Sequence, residues 1–274
     1  MTEALYLYCL ARGGSIHADA LPAPSAWASE GDRVPVLLEC LEHEGIVALY
    51  GRVDADQFSD ENLQSLAWLG PRAVAHARTV QDIMALGPVL PVKFGTLFQS
   101  PDSLRAFLAG HHAAIEGQFQ RLNNKSEWSI KGFMDAACVQ DRIKAEDPDI
   151  RARIRALPES PGKRYLLMKK LDTIIAGQAR QQMEDFGREI VAQLAHMAEE
   201  AAPLSLHGRE AAGRDEPMVF NHSFLVDTDC SDAFQSQALA LADQVRTEGL
   251  ILVVQGPWPP YNYCRELTDT AAGT

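Results

Sequence analysis

The stretch Ala-Leu-Tyr-Leu-Tyr-Cys-Leu at residues 4–10 decides the fold class, because seven consecutive apolar residues, rich in aromatic and aliphatic side chains, predict a buried first strand. The turn residues Arg-Gly-Gly at 12–14 end this strand. Two further apolar runs, at 34–41 and 46–53, flank Glu-His-Glu-Gly at 42–45. A short polar connection that ends in glycine is typical of a β-hairpin. The chain therefore opens with three predicted strands.

Helical patterns follow these strands. Apolar residues recur at three- and four-residue intervals over 63–84, which predicts one broken helix or two short ones with a bend at Gly70-Pro71. An apolar strand-like run covers 89–98, a second amphipathic helix covers 102–122, and another strand covers 127–134. The order β-β-β-α-β-α-β predicts an α+β sandwich with one sheet face covered by helices.

The second half is organised around a long helix. A charged, proline-containing segment at 141–162 is predicted to link two halves, and we place the boundary near Asp135, giving domains 1–135 and 136–274. A helix over 163–199 would measure about 55 Å, so part of it projects or packs as a hairpin with the charged segment. Its continuation predicts a β-β-α-β unit, with elements at 203–207, 218–226, 234–245 and 249–255.

Composition narrows the function classes. The 274 residues are 46% hydrophobic, enough for folded domains with real cores. Acidic residues outnumber basic ones 37 to 25, and the net charge of −12 argues against a nucleic-acid partner. The longest apolar run, at 4–11, is far shorter than the roughly 20 residues that span a bilayer, so no membrane association is expected. The start Met-Thr-Glu lacks the basic stretch of a secretory signal, which predicts a cytoplasmic protein.

The chain contains few residues in arrangements that carry chemistry. Its five cysteines are widely spaced and form no CxxC pair, which indicates reduced thiols rather than disulfides or a zinc site. His111 and His112 are adjacent, and neighbours on a helix point in different directions, so they do not suit one metal ion. No phosphate-binding loop, nucleophile elbow or zinc-protease motif occurs. We predict no catalytic, cofactor-binding or metal-binding residues.

Three motifs are more particular than their secondary structure requires. Proline and glycine inside the strand at 90–96 indicate an edge or a bulge. The predicted helix start at 160–170 carries four basic residues, and three prolines at 256–261 predict an extended, polyproline-like path that fixes the aromatic rings. The candidate partner-binding residues are Leu90, Pro91, Lys93, Phe94 and Phe98, and the candidate structural residues are Gly95, Gly256, Pro257, Trp258, Pro259, Pro260 and Tyr261.

These motifs resemble the gas vesicle accessory proteins of the GvpF/GvpL type, over nearly the whole chain. Departures from the family pattern are Lys93 where arginine is usual, Ala77 where an acidic residue is usual, and Asn262-Tyr263 where Ser-Phe is usual. The segments that carry the resemblance are Leu5–Tyr8, His76, Leu90–Thr96, Glu127-Trp128, Met134, Ser160–Gly162, Tyr165–Leu167, Asn221, Phe224–Val226 and Gly256–Tyr261.

The resemblance implies a non-enzymatic assembly factor or minor component of gas vesicles, without a cofactor. It implies two α+β domains that are ferredoxin-like in style, the second with long helices. The implied partners are the hydrophobic main shell protein and other accessory proteins. The implied location is the gas vesicle, with a cytoplasmic stage during assembly. A shell subunit keeps an apolar face for the gas side, and such a face aggregates in water until it is covered.

Several alternatives stay open at this point. The segment 90–96 is a bent core strand or a binding edge, and we assign shell-protein binding to domain 1–135. The basic helix start is a solvated face or a docking surface, and 256–261 is a strap over an open core edge. Two rival functions remain. One is an enzyme that uses His76 with Asp82 or Glu61 as acid–base groups, and the other is a scaffold for accessory proteins.

Overall fold

The computed structural model describes residues 2–16, 21–23, 37–206, 208, 213–265 and 267, and backbone contacts divide the chain into two compact units. The first unit comprises Met1–Ser126 and Trp258–Thr274, and the second comprises Glu127–Pro257. The elements before the second unit are β1 (Glu3–Arg12), β2 (Glu39–His43), β3 (Ile46–Asp54), α1 (Asp60–Gln64), α2 (Leu66–Met84), β4 (Val89–Pro91), β5 (Leu97–Phe98) and α3 (Pro101–Leu122).

The first sheet is antiparallel and has the strand order β2-β3-β1-β4, with β5 also paired to β1. The central strand β1 is buried from residue 4 to residue 11. Cys9 packs in one cluster with Val80 of α2, whereas Leu10, its neighbour, lines a cavity with Phe107 of α3. Since successive side chains of a strand point to opposite faces, helices cover both faces of this sheet, where the sequence pattern predicted one.

The second unit has the ferredoxin-like order βαββαβ, in which strand order along the sheet is β7-β8-β6-β9. Numbered within each unit, both sheets run 2-3-1-4, so the two halves share a sheet topology. The elements of this unit are β6 (Lys125–Met134), α4 (Ala136–Glu146), α5 (Pro148–Arg155), α6 (Pro161–Ala195), β7 (Glu200–Pro203), β8 (Met218–Asp227), α7 (Ser231–Arg246) and β9 (Leu250–Trp258).

The sequence left open whether the long helix α6 projects or packs against the charged segment before it, and the structure shows one part of the helix in each arrangement. Nine of its first ten residues, 161–170, are exposed, while Met168 packs against the second core. From Leu171 onward one face is buried, and α4 and α5 pack against this part of the helix. The predicted helix at 163–199 is therefore found two residues earlier at its start and four residues shorter at its end. Within the described residues, no helix is both long and apolar enough to span a bilayer.

The second compact unit, Glu127–Pro257, begins and ends earlier in the chain than the predicted second domain, 136–274. Strand β6 is an inner strand of the second sheet, and its Trp128 and Ile130 lie in the second core. Conversely, Tyr261 packs against the first core. The physical reason is that strand order along the chain does not determine which sheet a strand joins.

Candidate functional site

The candidate site is an interruption in the edge strand of the first sheet. Both β4 and β5 pair with β1, and residues 92–96 between them leave the ladder as a bulge. The ends of the bulge stay attached to β1, because Val92 N–H donates to the Tyr8 carbonyl at 3.3 Å and Leu7 N–H donates to the Thr96 carbonyl at 3.0 Å. Gly95 adopts φ 84°, a backbone conformation that favours glycine. The predicted single irregular strand is thus two short strands and a turn.

His76 of α2 fastens the bulge to the core. Its Nε2 lies 3.1 Å from the Val92 carbonyl, and its Nδ1 lies 2.7 Å from the hydroxyl of Tyr6. Because a carbonyl oxygen only accepts, Nε2 carries the proton, and Nδ1 accepts the hydrogen bond from Tyr6. The imidazole also stacks on Tyr8 with ring centroids 5.4 Å apart. One buried side chain therefore connects α2, β1 and the bulge.

Burial fixes the neutral state of this histidine. His76 is 2% exposed, and desolvation lowers its pKa from the ordinary 6.5 to about 4, against the opposing effect of the Val92 hydrogen bond. Burial likewise raises the pKa of the Tyr6 hydroxyl above its ordinary value, so this group remains a donor at neutral pH. The pair is uncharged at neutral pH, which suits a structural connection inside an apolar core.

The aromatic ring of Phe94 points from the bulge into the first core. Its centroid lies 5.8 Å from that of Tyr6, 6.0 Å from His76, 6.1 Å from Phe58 and 6.3 Å from Trp68. These are ordinary separations for packed aromatic pairs. The partly buried Phe94 thus holds the bulge in place from one side of the sheet.

A cavity of about 270 Å³ lies beside the bulge in the first unit. The bulge forms one wall of the cavity, α3 forms a second, and the C-terminal segment at residues 261–265 and 267 contributes side chains to a third. The lining residues are Leu10, Leu90, Pro91, Val92, Lys93, Thr96, Phe107, Gln118, Tyr261, Cys264, Arg265 and Leu267. Aliphatic and aromatic side chains predominate, and the exposed Lys93 brings a positive charge to the lining.

The C-terminal wall of the cavity, residues 259–265, is here called the strap. The Gln118 side chain holds it through two hydrogen bonds, donating to the Arg265 carbonyl at 3.0 Å and accepting from Arg265 N–H at 2.8 Å. The Tyr261 ring lies 6.2 Å from His76. The chain turns at Pro260, because Tyr261 N–H donates to the Pro259 carbonyl at 2.8 Å, and the N–H groups of Tyr263 and Cys264 then donate to the Pro260 carbonyl. The polyproline-like path predicted over 256–261 is therefore wrong in this part.

The structure separates the predicted partner-binding residues into two groups. Leu90, Pro91 and Lys93 line the cavity. Phe94 packs in the core, and Phe98 packs on Phe107 with ring centroids 5.1 Å apart. Sequence analysis did not assign the cavity residues Leu10, Val92, Thr96, Phe107, Gln118, Cys264, Arg265 and Leu267. Gln118 could have been identified from the sequence, because a polar residue at a buried position on the apolar face of α3 indicates a specific hydrogen-bonding role.

The motif at 256–261 is divided between a strand end and the strap. Gly256 and Pro257 lie in β9, joined by a cis peptide bond, and Trp258 ends that strand half-buried. Gly256 has φ 143°, and a Cβ there would lie 2.9 Å from the ring of Trp128 and from the Glu127 carbonyl. Pro259 and Pro260 are buried. Only glycine fits the close approach to Trp128.

The proposed acid–base use of His76 does not match this geometry. Both ring nitrogens already bond to Tyr6 and Val92, and the carboxylates of Asp82 and Glu61 lie on exposed residues. His111 and His112 bond to separate carbonyls, those of Phe107 and Glu44. Among the residues that the structure describes, no group of three or more histidine, cysteine or acidic residues is placed to hold a metal ion.

Comparison with known proteins identifies the relatives of this chain. The family model for gas vesicle synthesis protein GvpL/GvpF matches residues 4–265. The chain is 25% identical to gas vesicle protein L of a Streptomyces species over 231 residues, covering 81% of each chain. It is 27% identical to gas vesicle protein F of the same organism over 190 residues, covering 69% of this chain and 76% of the relative. The crystal structure of GvpF from Anabaena sp. PCC7120 has the same fold, with a TM-score of 0.68 at 18% identity over 96% of this chain and 99% of that one.

Proposed function

The chain belongs to the GvpL/GvpF family, which takes part in gas vesicle formation, and we propose that it binds the hydrophobic main shell protein at the cavity beside the bulge. It acts in this proposal as a non-enzymatic assembly factor and minor vesicle component. It limits aggregation of the shell subunit until that subunit is built into the wall. Binding is assigned to the first unit, through Leu90 and Pro91 of β4 and Lys93 of the bulge.

The observation that carries the proposal is the size and chemistry of the cavity. At about 270 Å³ it is just below the range of about 300–1,000 Å³ that is usual for small-molecule sites. A space of this size suits one or two apolar side chains of a protein partner. Its walls are Leu10, Leu90 and Phe107, and Lys93 lies in the lining beside them. A cation beside an apolar pocket favours a partner segment that combines apolar and acidic residues.

The mechanism follows from the behaviour of exposed apolar surface. A large exposed apolar patch drives association in water, and the gas-facing side of a shell subunit is such a patch. A reversible contact that covers part of it lowers the concentration of aggregation-prone subunit. The bulge is held by His76 and Phe94, so the cavity wall exists before the partner arrives. Pre-organisation of this kind reduces the entropic cost of binding.

The test is an aggregation assay with matched cysteine variants of the full chain. Shell protein is diluted from denaturant, and light scattering and the soluble fraction are measured with and without this protein. Cys264 lines the cavity, so Cys264→Phe fills it, while Cys230→Phe adds the same ring at an exposed position of the second unit. We expect the wild type and Cys230→Phe to keep the shell protein in solution and Cys264→Phe to fail. Equal protection by both folded variants would exclude the cavity as the binding site.

A scaffold for other gas vesicle accessory proteins is the second candidate function. The observations in its favour are the exposed start of α6 at residues 161–170 and the net charge of −12, which attracts basic partners to the acidic surface. Salt-sensitive binding to basic accessory proteins, without binding to the shell protein, would favour this candidate over the first.

A further inference from the structure

The helical hairpin of the second unit ends in a strongly basic segment. Residues 151–170, here called the tip, contain seven arginine and lysine residues and one acidic residue, Glu159. The tip therefore carries a net charge of +6, and the rest of the chain carries −18. Within the described ranges, none of the seven cations forms an ion pair. The charge of the tip is thus available to a partner.

The tip also exposes apolar side chains. Tyr165 is 67% exposed, Leu166 61% and Leu167 45%. Ile174, seven residues after Leu167 and on the same side of the helix, is 41% exposed. Consecutive exposed apolar residues are unusual on a helix surface and mark a contact site. The partner of the tip must therefore offer both negative charge and apolar surface.

Another part of the same unit offers this combination. A groove of about 450 Å³ lies between α4 and α6, and we call it the acidic groove. Its apolar part consists of Ile143 and Phe186. Its remaining lining residues are Arg142, Glu146, Asp147, Gln182, Asp185 and Glu189.

Most polar groups of the acidic groove already have partners. Arg142 pairs with Glu248, and the Asp147 side chain accepts from two backbone N–H groups at the start of α5. Asp185 pairs with Arg188. Glu146 and Glu189 have no ion pair with any described residue, so they carry the uncompensated negative charge.

We propose that the tip of one copy of this protein docks in the acidic groove of a second copy. Leu166 and Leu167 of the tip cannot reach the groove of their own chain, because they lie on the same continuous helix α6 as Asp185, and the 19 residues between Leu166 and Asp185 span about 28 Å. Leu166 and Leu167 would contact Ile143 and Phe186, and the tip cations would face Glu146 and Glu189. The net charge of −18 outside the tip disfavours nucleic acid and anionic lipid as occupants.

The contact is heterologous, since two different surfaces meet. Each copy keeps a free tip at one end and a free groove at the other, so association proceeds head to tail. The contact uses residues of the second unit, and the cavity that we assign to the shell protein is lined by residues of the first unit. Self-association and shell-protein binding are therefore tested with different variants.

The experiment is sedimentation velocity on the full chain at about 0.01 M and about 1 M ionic strength, where the Debye length is about 30 Å and about 3 Å. The tip variant is Lys163→Glu with Arg164→Glu and Lys170→Glu, and the groove variant is Glu146→Lys with Glu189→Lys. All five positions are exposed, and circular dichroism confirms the fold. We expect concentration-dependent oligomers of the wild type at low salt only, and monomers for each variant alone.

An equal mixture of the two variants distinguishes this contact from other associations. The intact tip of the groove variant matches the intact groove of the tip variant, and the reversed tip matches the reversed groove, so the mixture forms oligomers in which the two variants alternate. A chain carrying both sets of reversals also regains oligomers, because the three glutamates introduced in its tip match the two lysines introduced in its groove. A monomeric wild type at low salt would overturn the proposal. Dimers of either variant alone would also overturn it, since they indicate a symmetric interface.

Discussion

The hydroxyl of Tyr6 donates to Nδ1 of His76 across 2.7 Å, and this contact joins the central strand of the first sheet to α2. The other ring nitrogen of His76 donates to the Val92 carbonyl. A buried neutral histidine with both nitrogens engaged is a structural element, and it places the bulge that forms one wall of the cavity.

The Tyr6–His76 pair is expected to be coupled. Tyr6→Phe removes the donor to Nδ1 of His76, and His76→Phe removes the acceptor of the Tyr6 hydroxyl, and each loss costs about 1–3 kcal/mol. The double variant removes both polar groups of the pair, so we expect its loss to be smaller than the sum of the two single losses. Urea unfolding of the four proteins measures this coupling. Additive losses would show that the hydrogen bond contributes nothing to stability.

We expect the free energy of unfolding to decrease as the pH is lowered, because the unfolded chain protonates His76 more readily than the folded chain does. Its pKa is lowered to about 4 in the folded chain and is near 6.5 when unfolded, so between these values the unfolded state binds more protons. The free energy of unfolding therefore rises with pH across this window, and about 3 kcal/mol is lost from pH 7 to pH 4. Because other groups also titrate in this pH range, the quantity to compare is the difference in unfolding free energy between the wild type and His76→Gln at each pH. Parallel pH curves for the two proteins would contradict the assignment.

Gly256 is expected to be intolerant of any side chain. Gly256→Ala places a Cβ 2.9 Å from the Trp128 ring at φ 143°, so overpacking and backbone strain together cost about 2–4 kcal/mol. Gly110 is the control, because it lies in α3 with open space around the position that a Cβ would take and has no positive φ. Gly110→Ala should gain about 0.5–1 kcal/mol from helix propensity. Thermal and urea unfolding test both substitutions, and similar effects for the two would refute the close-packing argument.

Two neighbours on the bulge are expected to differ in role. Phe94→Ala removes a ring from the aromatic cluster and should cost about 2–4 kcal/mol of stability. Lys93→Ala changes an exposed side chain and should stay within about 0.5 kcal/mol of the wild type. Equilibrium unfolding measures both. A stable Phe94→Ala protein that no longer binds the shell protein would show that Phe94 acts in partner binding and not in the core.

The fold followed from local patterns to a large extent. The apolar run at 4–10 is the centre of β1, the hairpin at 42–45 is present, and the α+β class agrees with the two antiparallel sheets. The sequence pattern predicted a strand at 125–134 but not which sheet this strand joins, because residue periodicity does not specify the pairing partner of β6. Strand pairing over long sequence distances is decided by packing of the complete chain.

The candidate site was predicted only in part. Proline and glycine marked the bulge correctly, since both residues reflect the local backbone. Which side of the sheet each bulge residue faces depends on the break after Pro91, so the sequence did not predict that Phe94 packs against the first core, and its role in partner binding stays a prediction. The strap residues Cys264 and Arg265 line the same cavity as Leu90 although they are distant in sequence, and no local pattern predicts such a juxtaposition.

The central claim is that the shell protein contacts the bulge, and site-specific cross-linking during vesicle formation tests it most directly. A photo-cross-linking residue is placed at the exposed Lys93 of the full chain and, as a control, at the exposed Asp232 of the second unit. We expect shell protein cross-linked from position 93 and little or none from position 232. Shell protein captured from position 232 and absent from position 93 would contradict the account.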